Sequence, residues 1–418
     1  MRTAVERSKF SGAILVAQDQ RVIVSQGYSL ASIEYEVPNT PQTKFRLGSL
    51  TKQFTAMAVM ILQERGKLNV QDSICKYLPD CPESCQSITI HHLLTHTSGI
   101  PNIGYSLNQV EQVGLSSLLT RHMEQLRSLT LEFKPGAQFR YSNSGYILLG
   151  HIIEKASGEP YDVFMRKNIF EPLKMTNTGY EDRGSIIKHR AAGYSLSKEK
   201  IVSAAFVDMS LPYSAGGLYS TVEDMYRWDQ ALYTEKLISR KSLDLMFTPF
   251  KFNYGYGWDI AEQFGRRYIG HMGWIEGYAD YILRFPEDRL TVIVMSNLDS
   301  APVSTIARDL AAMVLGVQGS MRQEHKVVEV DRKLYDAYVG QYELAPDFII
   351  TVSKEDNKLL AQAPGHPKIE LLPESEIEFF VKEYDAQIMF VWSRNGEVTH
   401  STIRLNGREA QARKLKPK

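Results

Sequence analysis

The stretch Gly48-Ser49-Leu50-Thr51-Lys52 is followed by a long apolar run, Phe54, Met57, Ala58, Met60, Ile61 and Leu62. The run has helical spacing and Gly66 is a typical stop, so it predicts a buried helix over 51–65. Ser49 then lies at the helix start, with Lys52 one turn further on the same face. The helix dipole and a partly desolvated ammonium group can turn a serine hydroxyl into a nucleophile. Taken alone, Ser49 is equally explained as a helix cap.

Size and composition set the broad class. The chain has 418 residues, which is long for one domain and fits two. Lys+Arg and Asp+Glu both number 48, and this balance argues against a nucleic-acid partner. No run approaches the ~18 apolar residues of a membrane helix, so we expect no membrane span. The segment Met1–Phe10 carries no apolar signal core, so we expect a cytoplasmic protein, or a periplasmic or secreted one if an export signal was removed.

The three cysteines, Cys75, Cys81 and Cys85, lie close together in the sequence. A local disulfide between Cys81 and Cys85 would suit an exported protein. Three free thiols are the favoured interpretation, because the number is odd and closing a short loop adds little stability. No fourth ligand pairs with them at zinc-finger spacing, so we expect no metal site.

Strand patterns lie at both ends of the first three hundred residues. Alternating or apolar runs predict strands at 11–17 and 21–28, and again at 267–271, 278–285 and 290–296. Helical patterns dominate between them, including an amphipathic stretch at 110–130 and helices after Asn143 and at 160–171. A further helix is predicted to be capped by Ser220 or Thr221, with Ser220 and Glu223 as a capping box. We therefore expect an α/β (α+β) fold with one antiparallel sheet built from both ends of the domain and flanked by helices.

The last eighty residues have a different texture. Short alternating strands with Asp356-Asn357, Asn395-Gly396 and Asn406-Gly407 turns predict a small all-β meander or closed barrel. The predicted organisation is a first domain over 1–317, a linker over 318–330 and a β domain over 331–418.

Several polar motifs are candidates for chemistry. Tyr141-Ser142-Asn143 precedes an apolar helix, where a tyrosine can act as a base and an asparagine can hold a substrate amide. His271-Met272-Gly273 comes at the end of a predicted strand, where Gly273 would let a substrate approach the edge and His271 would hold a proton or bind a carboxylate.

Other polar residues are weaker candidates. His92 and His96 are four apart, as metal ligands can be, but a local structural role is favoured because no acidic partner follows. Ser214, in a glycine-rich turn, is a weak candidate for catalysis.

Together, Ser-x-x-Lys, Tyr-x-Asn and His-x-Gly in this order resemble the serine β-lactamase and penicillin-binding-protein superfamily. The closest resemblance is to class C β-lactamases, D-alanyl-D-alanine carboxypeptidases, D-aminopeptidases and related esterases. His-Leu-Leu-Thr-His-Thr-Ser-Gly (92–99) and Ser-Ala-Gly-Gly-Leu-Tyr-Ser-Thr (214–221) also resemble stretches of that family. The resemblance covers about residues 10–316, and the tail resembles a small lipocalin-like β domain.

The resemblance implies a β-lactamase/transpeptidase-like fold with an all-helical subdomain and a serine hydrolase activity that needs no metal or cofactor. Ser49 would be the nucleophile, and Lys52 and Tyr141 would share the proton transfers. Its substrate would be a small molecule or short peptide with an acyl group.

The substrate-binding residues would be Asn143, which would orient the substrate amide, with His271 and Gly273 on the strand edge. The backbone N–H groups of Ser49 and Trp274 would form the oxyanion hole.

His271 departs from the β-lactamase pattern, which usually has lysine at this position. A histidine is mostly neutral at pH 7 and gives no permanent charge for a drug's carboxylate. We therefore expect a peptidase or amidase acting on D-amino-acid substrates, with esterase or weak β-lactamase activity. The alternative is a sensor that penicillin-like compounds acylate without efficient turnover. Oligomeric state is left open.

Overall fold

The computed structural model describes residues 10–102, 124, 130–182, 184–198, 200–317, 327–345, 348–363, 368–381, 386–393, 395–405 and 408–415. The chain forms two compact units, Met1–Ala311 and Ala312–Lys418. The predicted amphipathic stretch 110–130 lies outside the described residues apart from 124 and 130, as does the 318–326 part of the predicted linker.

The described strands of the first unit are β1 (Gly12–Gln18), β2 (Arg21–Tyr28), β3 (Leu30–Ser32), β4 (Val37–Pro38), β5 (Phe45–Arg46), β6 (Gly179–Tyr180), β7 (Tyr194–Ser197), β8 (Lys200–Ser203), β9 (Leu218–Ser220), β10 (Asp259–Gln263), β11 (Arg266–Ile275), β12 (Tyr278–Phe285) and β13 (Leu290–Ser296). The main sheet is antiparallel, with the order β10-β11-β12-β13-β1-β2. The prediction of one antiparallel sheet assembled from both ends of the unit is confirmed.

Burial explains the pattern of each strand in this sheet. β1 and β13 lie in the interior of the sheet and are buried almost throughout, which is why their sequences are continuous apolar runs. β2 is an edge strand and is mostly exposed. The strand β10 was not predicted, since its sequence Asp-Ile-Ala-Glu-Gln has only one large apolar residue.

The helices are α1 (Thr51–Glu64), α2 (Ile90–Leu94), α3 (Asn143–Ser157), α4 (Tyr161–Met165), α5 (Tyr213–Gly216), α6 (Val222–Ala231), α7 (Arg240–Met246), α8 (Val303–Val314) and α9 (Tyr335–Tyr338). Helix α1 is buried from Thr51 to Leu62, so it is surrounded by protein on all sides. Within the described ranges, no helix combines the length and apolar character needed to cross a membrane.

Two helix predictions need correction. The helix expected over 160–171 is α4 followed by a π-helical turn, Arg166–Phe170. The cap of α6 is Thr221, whose hydroxyl accepts the N–H of Asp224 at 3.1 Å, so the capping box predicted for Ser220 and Glu223 is wrong. Thr221 adopts the extended backbone of an N-cap, while Ser220 still belongs to strand β9.

The cysteine prediction is also wrong. Cys75 and Cys81 form a disulfide, and Cys85 is the free, buried thiol. A short 3₁₀ turn, Ile74–Lys76, brings the Cα atoms of Cys75 and Cys81 to 5.2 Å, which suits a bridge. Cys85 instead packs its side chain into the apolar core of the first unit.

The second unit is a closed eight-stranded barrel with the strands in chain order. They are β14 (Gly340–Ala345), β15 (Phe348–Glu355), β16 (Lys358–Gln362), β17 (Ile369–Pro373), β18 (Glu378–Val381), β19 (Ala386–Trp392), β20 (Val398–Leu405) and β21 (Arg408–Lys414). Aliphatic and aromatic side chains form its core, with the rings of Tyr338 and Phe390 stacked at 4.2 Å. The predicted small all-β domain is confirmed, and its lipocalin-like character stays a prediction.

Candidate active site

Ser49 lies in a short 3₁₀ turn, Gly48–Leu50, that leads directly into α1. Its side chain is half-buried. Gly48 has a φ of +48°, and a Cβ atom at this position would lie 2.8 Å from the backbone nitrogen of Trp274. Any other residue would be strained and would push the turn away from β11. Glycine at position 48 therefore lets the serine approach the strand edge.

Lys52 lies in the first turn of α1, and its side chain is completely buried. The Nζ atom donates hydrogen bonds to Oδ1 of Asn143 at 2.8 Å and to the carbonyl oxygen of Ala215 at 2.9 Å. It also lies 3.0 Å from the Oγ of Ser49. The helical spacing of Ser49 and Lys52 thus brings the hydroxyl and the amine into hydrogen-bonding distance.

Burial lowers the pKa of Lys52 well below its usual value. The rings of Tyr141 and Tyr146 lie 4.9 and 5.5 Å from Nζ and favour the charged ammonium. Such cation–π contacts are worth about 0.5–2 kcal/mol, which is less than the cost of holding an isolated charge in the interior. Burial therefore disfavours the ammonium form of Lys52 relative to a solvated lysine.

Tyr141 and Asn143 reach Lys52 from the start of α3. Asn143 is the first residue of this helix, and its backbone N–H donates to Oδ1 of Asn102 at 2.9 Å. Asn102 thereby satisfies one of the N–H groups that a helix leaves without an internal partner. The side-chain oxygen of Asn143 accepts a hydrogen bond from Lys52. The half-buried Tyr141 lies with its ring beside the same amine.

His271 lies in the middle of β11 rather than at the strand end that the sequence predicted. The strand continues to Ile275, with exposed Met272 and Trp274 alternating with buried Gly273 and Ile275. Pairing of β11 with β10 stops at Gly270, so the remaining edge of β11 is open to the Gly48–Leu50 turn, which it contacts. His271 therefore lies on the edge of β11 that faces the Gly48–Leu50 turn, although it is not the last residue of the strand.

Both ring nitrogens of His271 have partners inside the protein. Nδ1 lies 2.7 Å from the carbonyl oxygen of Met272, and Nε2 lies 2.9 Å from the hydroxyl of Tyr254. A carbonyl only accepts, so we assign the proton to Nδ1, and Nε2 accepts from the tyrosine O–H. Burial lowers the pKa of His271 to about 3. His271 is neutral and carries no charge for a carboxylate.

Gly273 and Trp274 pack against the turn that carries Ser49. A Cβ atom on Gly273 would lie 2.2 Å from the carbonyl oxygen of Leu47. The sequence predicted that this glycine makes room for a substrate, but the space beside it is filled by the protein's own backbone. The Trp274 side chain is 52% exposed, and its indole N–H donates to the carbonyl oxygen of Asp299 at 3.1 Å.

The remaining candidates have structural partners. Ser214 is buried, and its hydroxyl donates to the carbonyl oxygen of Tyr146 at 2.9 Å. The Nδ1 atom of His92 accepts the backbone N–H of Thr89 at 3.1 Å in a capping box. His96 accepts the N–H of Ser142 in the same way. The local role favoured for both histidines agrees with these contacts.

Sequence reasoning missed Tyr254 as the partner of His271. This tyrosine lies in the alternating stretch Tyr254-Gly255-Tyr256-Gly257-Trp258, which indicates close backbone packing. Indeed, a Cβ atom on Gly257 would lie 2.8 Å from the carbonyl oxygen of Lys52. Nothing in the stretch points to a histidine seventeen residues away, so only the fold reveals the pair.

Comparisons with known proteins agree with this arrangement. Residues 1–316 match the Beta-lactamase family, and residues 324–414 match a domain of unknown function, DUF3471. Penicillin-binding protein 4* of Bacillus subtilis is 30% identical over 415 residues, covering 93% of this chain and 91% of the relative.

Solved structures give the same result. The octameric penicillin-binding protein homologue from Pyrococcus abyssi has a TM-score of 0.69 and 27% identity, covering 99% of this chain and 98% of that one. A penicillin-binding protein from Bacillus halodurans has a TM-score of 0.66 and 29% identity, covering 76% and 98%. The family match spans three quarters of the sequence and includes every candidate residue described above, so this chain belongs to the Beta-lactamase family and is a serine hydrolase.

Proposed function

We propose that this serine hydrolase works through an acyl-enzyme on Ser49 and acts on peptides or amides of D-amino acids. The observation that carries the proposal is the environment of the Lys52 amine. A neutral amine has two N–H groups and one lone pair. The carbonyl oxygens of Asn143 and Ala215 take up the two N–H groups, which leaves the lone pair for the hydroxyl proton of Ser49 at 3.0 Å.

In acylation, the Oγ of Ser49 attacks the carbonyl carbon as its proton passes to Nζ of Lys52, and the carbonyl electrons move to the oxygen. When the tetrahedral intermediate collapses, the bond to the leaving nitrogen breaks. Tyr141 passes a proton from Lys52 to this nitrogen, so that the amine leaves neutral. Water then attacks the ester, Lys52 takes a proton from the water and returns it to Oγ of Ser49, and the carboxylic acid product leaves.

The developing negative charge would be held by the backbone N–H groups of Ser49 and Trp274. The contact between Gly48 and the Trp274 backbone supports this assignment, because it keeps the two segments close. Losing one such donor typically costs about 3 kcal/mol of transition-state stabilisation.

The neutral state of His271 supports the choice of substrate. A β-lactam presents a carboxylate beside the scissile bond, and a site built around a neutral imidazole bound to Tyr254 does not stabilise it by charge. Peptides and amides of D-amino acids are therefore expected to be hydrolysed fastest, esters next because the acyl-enzyme chemistry is shared, and β-lactams slowest.

A substrate panel tests the proposal. We expect D-alanine p-nitroanilide and D-alaninamide, which carry no carboxylate beside the scissile bond, to be hydrolysed with a higher kcat/KM than a chromogenic cephalosporin, with L-alanine p-nitroanilide as the stereochemical control. Ser49→Ala should abolish every activity. Equal turnover of the L- and D-anilides would contradict the substrate class, and activity in Ser49→Ala would contradict the nucleophile.

A second candidate function is that of a sensor in which Ser49 is acylated by penicillins without turnover. The name of the Bacillus subtilis relative, a penicillin-binding protein, favours it. A stable one-to-one penicillin adduct on Ser49, with no hydrolysis of any D-amino-acid substrate, would support the sensor and contradict the peptidase.

A further inference from the structure

We propose that His96 is the positioning residue for Tyr141 and sets how efficiently this tyrosine protonates the leaving group. This inference rests on the proposed function. His96 follows α2, far from Tyr141 in the sequence, and sequence analysis gave it no catalytic part. It is 1% exposed, so it contacts no substrate directly.

His96 holds the chain on both sides of Tyr141. Its backbone carbonyl accepts the N–H of Arg140 at 2.8 Å, and its ring Nδ1 accepts the N–H of Ser142 at 3.1 Å. Between these two bonds, the imidazole lies with its centroid 4.2 Å from the Tyr141 ring at an interplanar angle of 35°. One residue thus fixes the backbone before and after Tyr141 and the ring itself.

The same histidine adopts a backbone that few residues favour. Its φ is +55°, in the left-handed region where Asn, Asp and His are enriched among residues other than glycine. This conformation allows the carbonyl and the ring of one residue to reach the Tyr141 segment together. The strain is of order 1–3 kcal/mol, and such strain is typically found at functional sites.

The protonation state of His96 is also defined. Because Nδ1 accepts a backbone N–H, the neutral ring carries its proton on Nε2, and this buried atom has no hydrogen-bond partner among the described residues. Burial lowers its pKa well below 6.5. A buried polar atom without a partner costs free energy, so packing alone does not account for a histidine here.

The consequence for catalysis is selective. An amide nitrogen must be protonated to leave, whereas p-nitrophenolate leaves as an anion. A displaced Tyr141 should therefore slow amide hydrolysis far more than hydrolysis of a p-nitrophenyl ester with the same acyl group. A purely structural role for His96 would lower both rates equally, through the fraction of folded protein.

The test uses His96→Asn in the full chain, because Asn tolerates the left-handed backbone and loses the ring. A matched D-alanine p-nitroanilide and p-nitrophenyl ester are measured, and each kcat is divided by the concentration of active sites from titration. We expect kcat on the anilide to fall roughly 10- to 100-fold and kcat on the ester less than about 3-fold. Tyr141→Phe should show the same selective loss, and its combination with His96→Asn should add little further.

Equal losses on the two substrates, or losses that multiply fully in the double variant, would overturn the inference. If His96→Asn does not fold, His96→Gly accommodates the left-handed backbone and removes the ring, and the same comparison decides. Ser49→Ala separates the two proposals. If it retains wild-type hydrolysis, the proposed function is wrong. If it is inactive and His96→Asn slows both substrates equally, only the role of His96 is wrong.

Discussion

At the scale of single residues, the chemistry depends on how the protein disfavours the charged form of one amine. Lys52 is completely buried, and its pKa is lowered because burial penalises the ammonium form. The acceptor oxygens of Asn143 and Ala215 each bind one N–H group of the amine. The third position on Nζ then faces the hydroxyl of Ser49. A lysine of this kind can act as a base near neutral pH, which a solvated lysine does not do efficiently.

Replacing Lys52 tests this role. Lys52→Met should lower kcat/KM about 10³-fold, because a general base typically contributes 10²–10⁴-fold. Lys52→Arg should be no better, since a guanidinium stays protonated and accepts no proton. The control is Lys67→Met at an exposed position, measured with the same substrates at equal active-site concentration. Near-normal turnover in Lys52→Arg would contradict a base at this position.

The neutral His271 gives stability a pH dependence with a defined sign. Its pKa is about 3 in the folded protein and about 6.5 in an unfolded chain. Above pH 6.5 the ring is neutral in both states, and its full contribution to stability is present. As the pH falls from 6.5 towards 3, only the unfolded chain gains the proton, so stability is lost at about 1.4 kcal/mol per pH unit.

Removing the imidazole should make stability less dependent on pH below pH 6.5. For His271→Gln, the loss of unfolding free energy between pH 7 and pH 5 should be smaller than in the wild type by up to about 2 kcal/mol. Urea denaturation at the two pH values measures it, and His189→Gln on the surface is the control. An unchanged difference would mean that His271 is not held neutral.

The residue types and their order predicted a site made of a serine, a lysine, a tyrosine, an asparagine and a histidine. The fold brings the first four into contact around Lys52, and their catalytic roles stay predictions. The partners that set their protonation were not predictable. Tyr254 and the carbonyl of Ala215 contact His271 and Lys52 only because distant segments fold together, and a carbonyl oxygen leaves no mark in a sequence.

At the scale of elements, the site depends on the close approach of β11 and the Gly48–Leu50 turn. Two glycines make this approach possible, since a Cβ on Gly48 or Gly273 would overlap the facing backbone. The facing atoms belong to the backbone, which cannot move aside as a flexible side chain can, so the spacing between the two segments is rigid.

Gly273→Ala should therefore be damaging. Its Cβ would lie 2.2 Å from the carbonyl oxygen of Leu47, so the turn must shift. We expect a loss of about 1–3 kcal/mol in unfolding free energy and a larger proportional fall in kcat, because Ser49 moves with the turn. The control is Gly184→Ala, where the nearest atom is 3.7 Å from the new Cβ. Wild-type kcat and stability in Gly273→Ala would contradict the close contact.

Local patterns predicted the main strands and α1 well, because each has a long run of one period. They failed where tertiary contacts decide. The strand β11 extends beyond the predicted end since its glycines and His271 are covered by other segments, and the disulfide partner of Cys75 depends on a 3₁₀ turn rather than on sequence distance.

At the scale of the whole molecule, the two units each have their own apolar core. All candidate catalytic residues belong to the first unit. The core of the barrel is formed by side chains of the second unit itself. The change of sequence texture after residue 317 predicted a second, all-β domain. Its closure into an eight-stranded barrel depends on the β14–β21 pairing, which local patterns do not specify.

A substitution that creates a cavity in the barrel core tests whether the two units are independent. Phe390 is completely buried, so Phe390→Ala should destabilise the barrel by about 3–5 kcal/mol. We expect calorimetry to show a lower barrel transition, while kcat per titrated active site stays within about 2-fold of the wild type at a temperature below that transition. A parallel loss of kcat would show that the barrel supports the catalytic site.

The most direct test of the central claim is to trap the acyl-enzyme. Wild-type protein is quenched in acid during turnover of a D-alanine p-nitrophenyl ester, and the modified peptide is identified by mass spectrometry. We expect an added acyl mass on the peptide that contains Ser49, and none in Ser49→Ala. An acyl group on any other residue, or full turnover in Ser49→Ala, would contradict it.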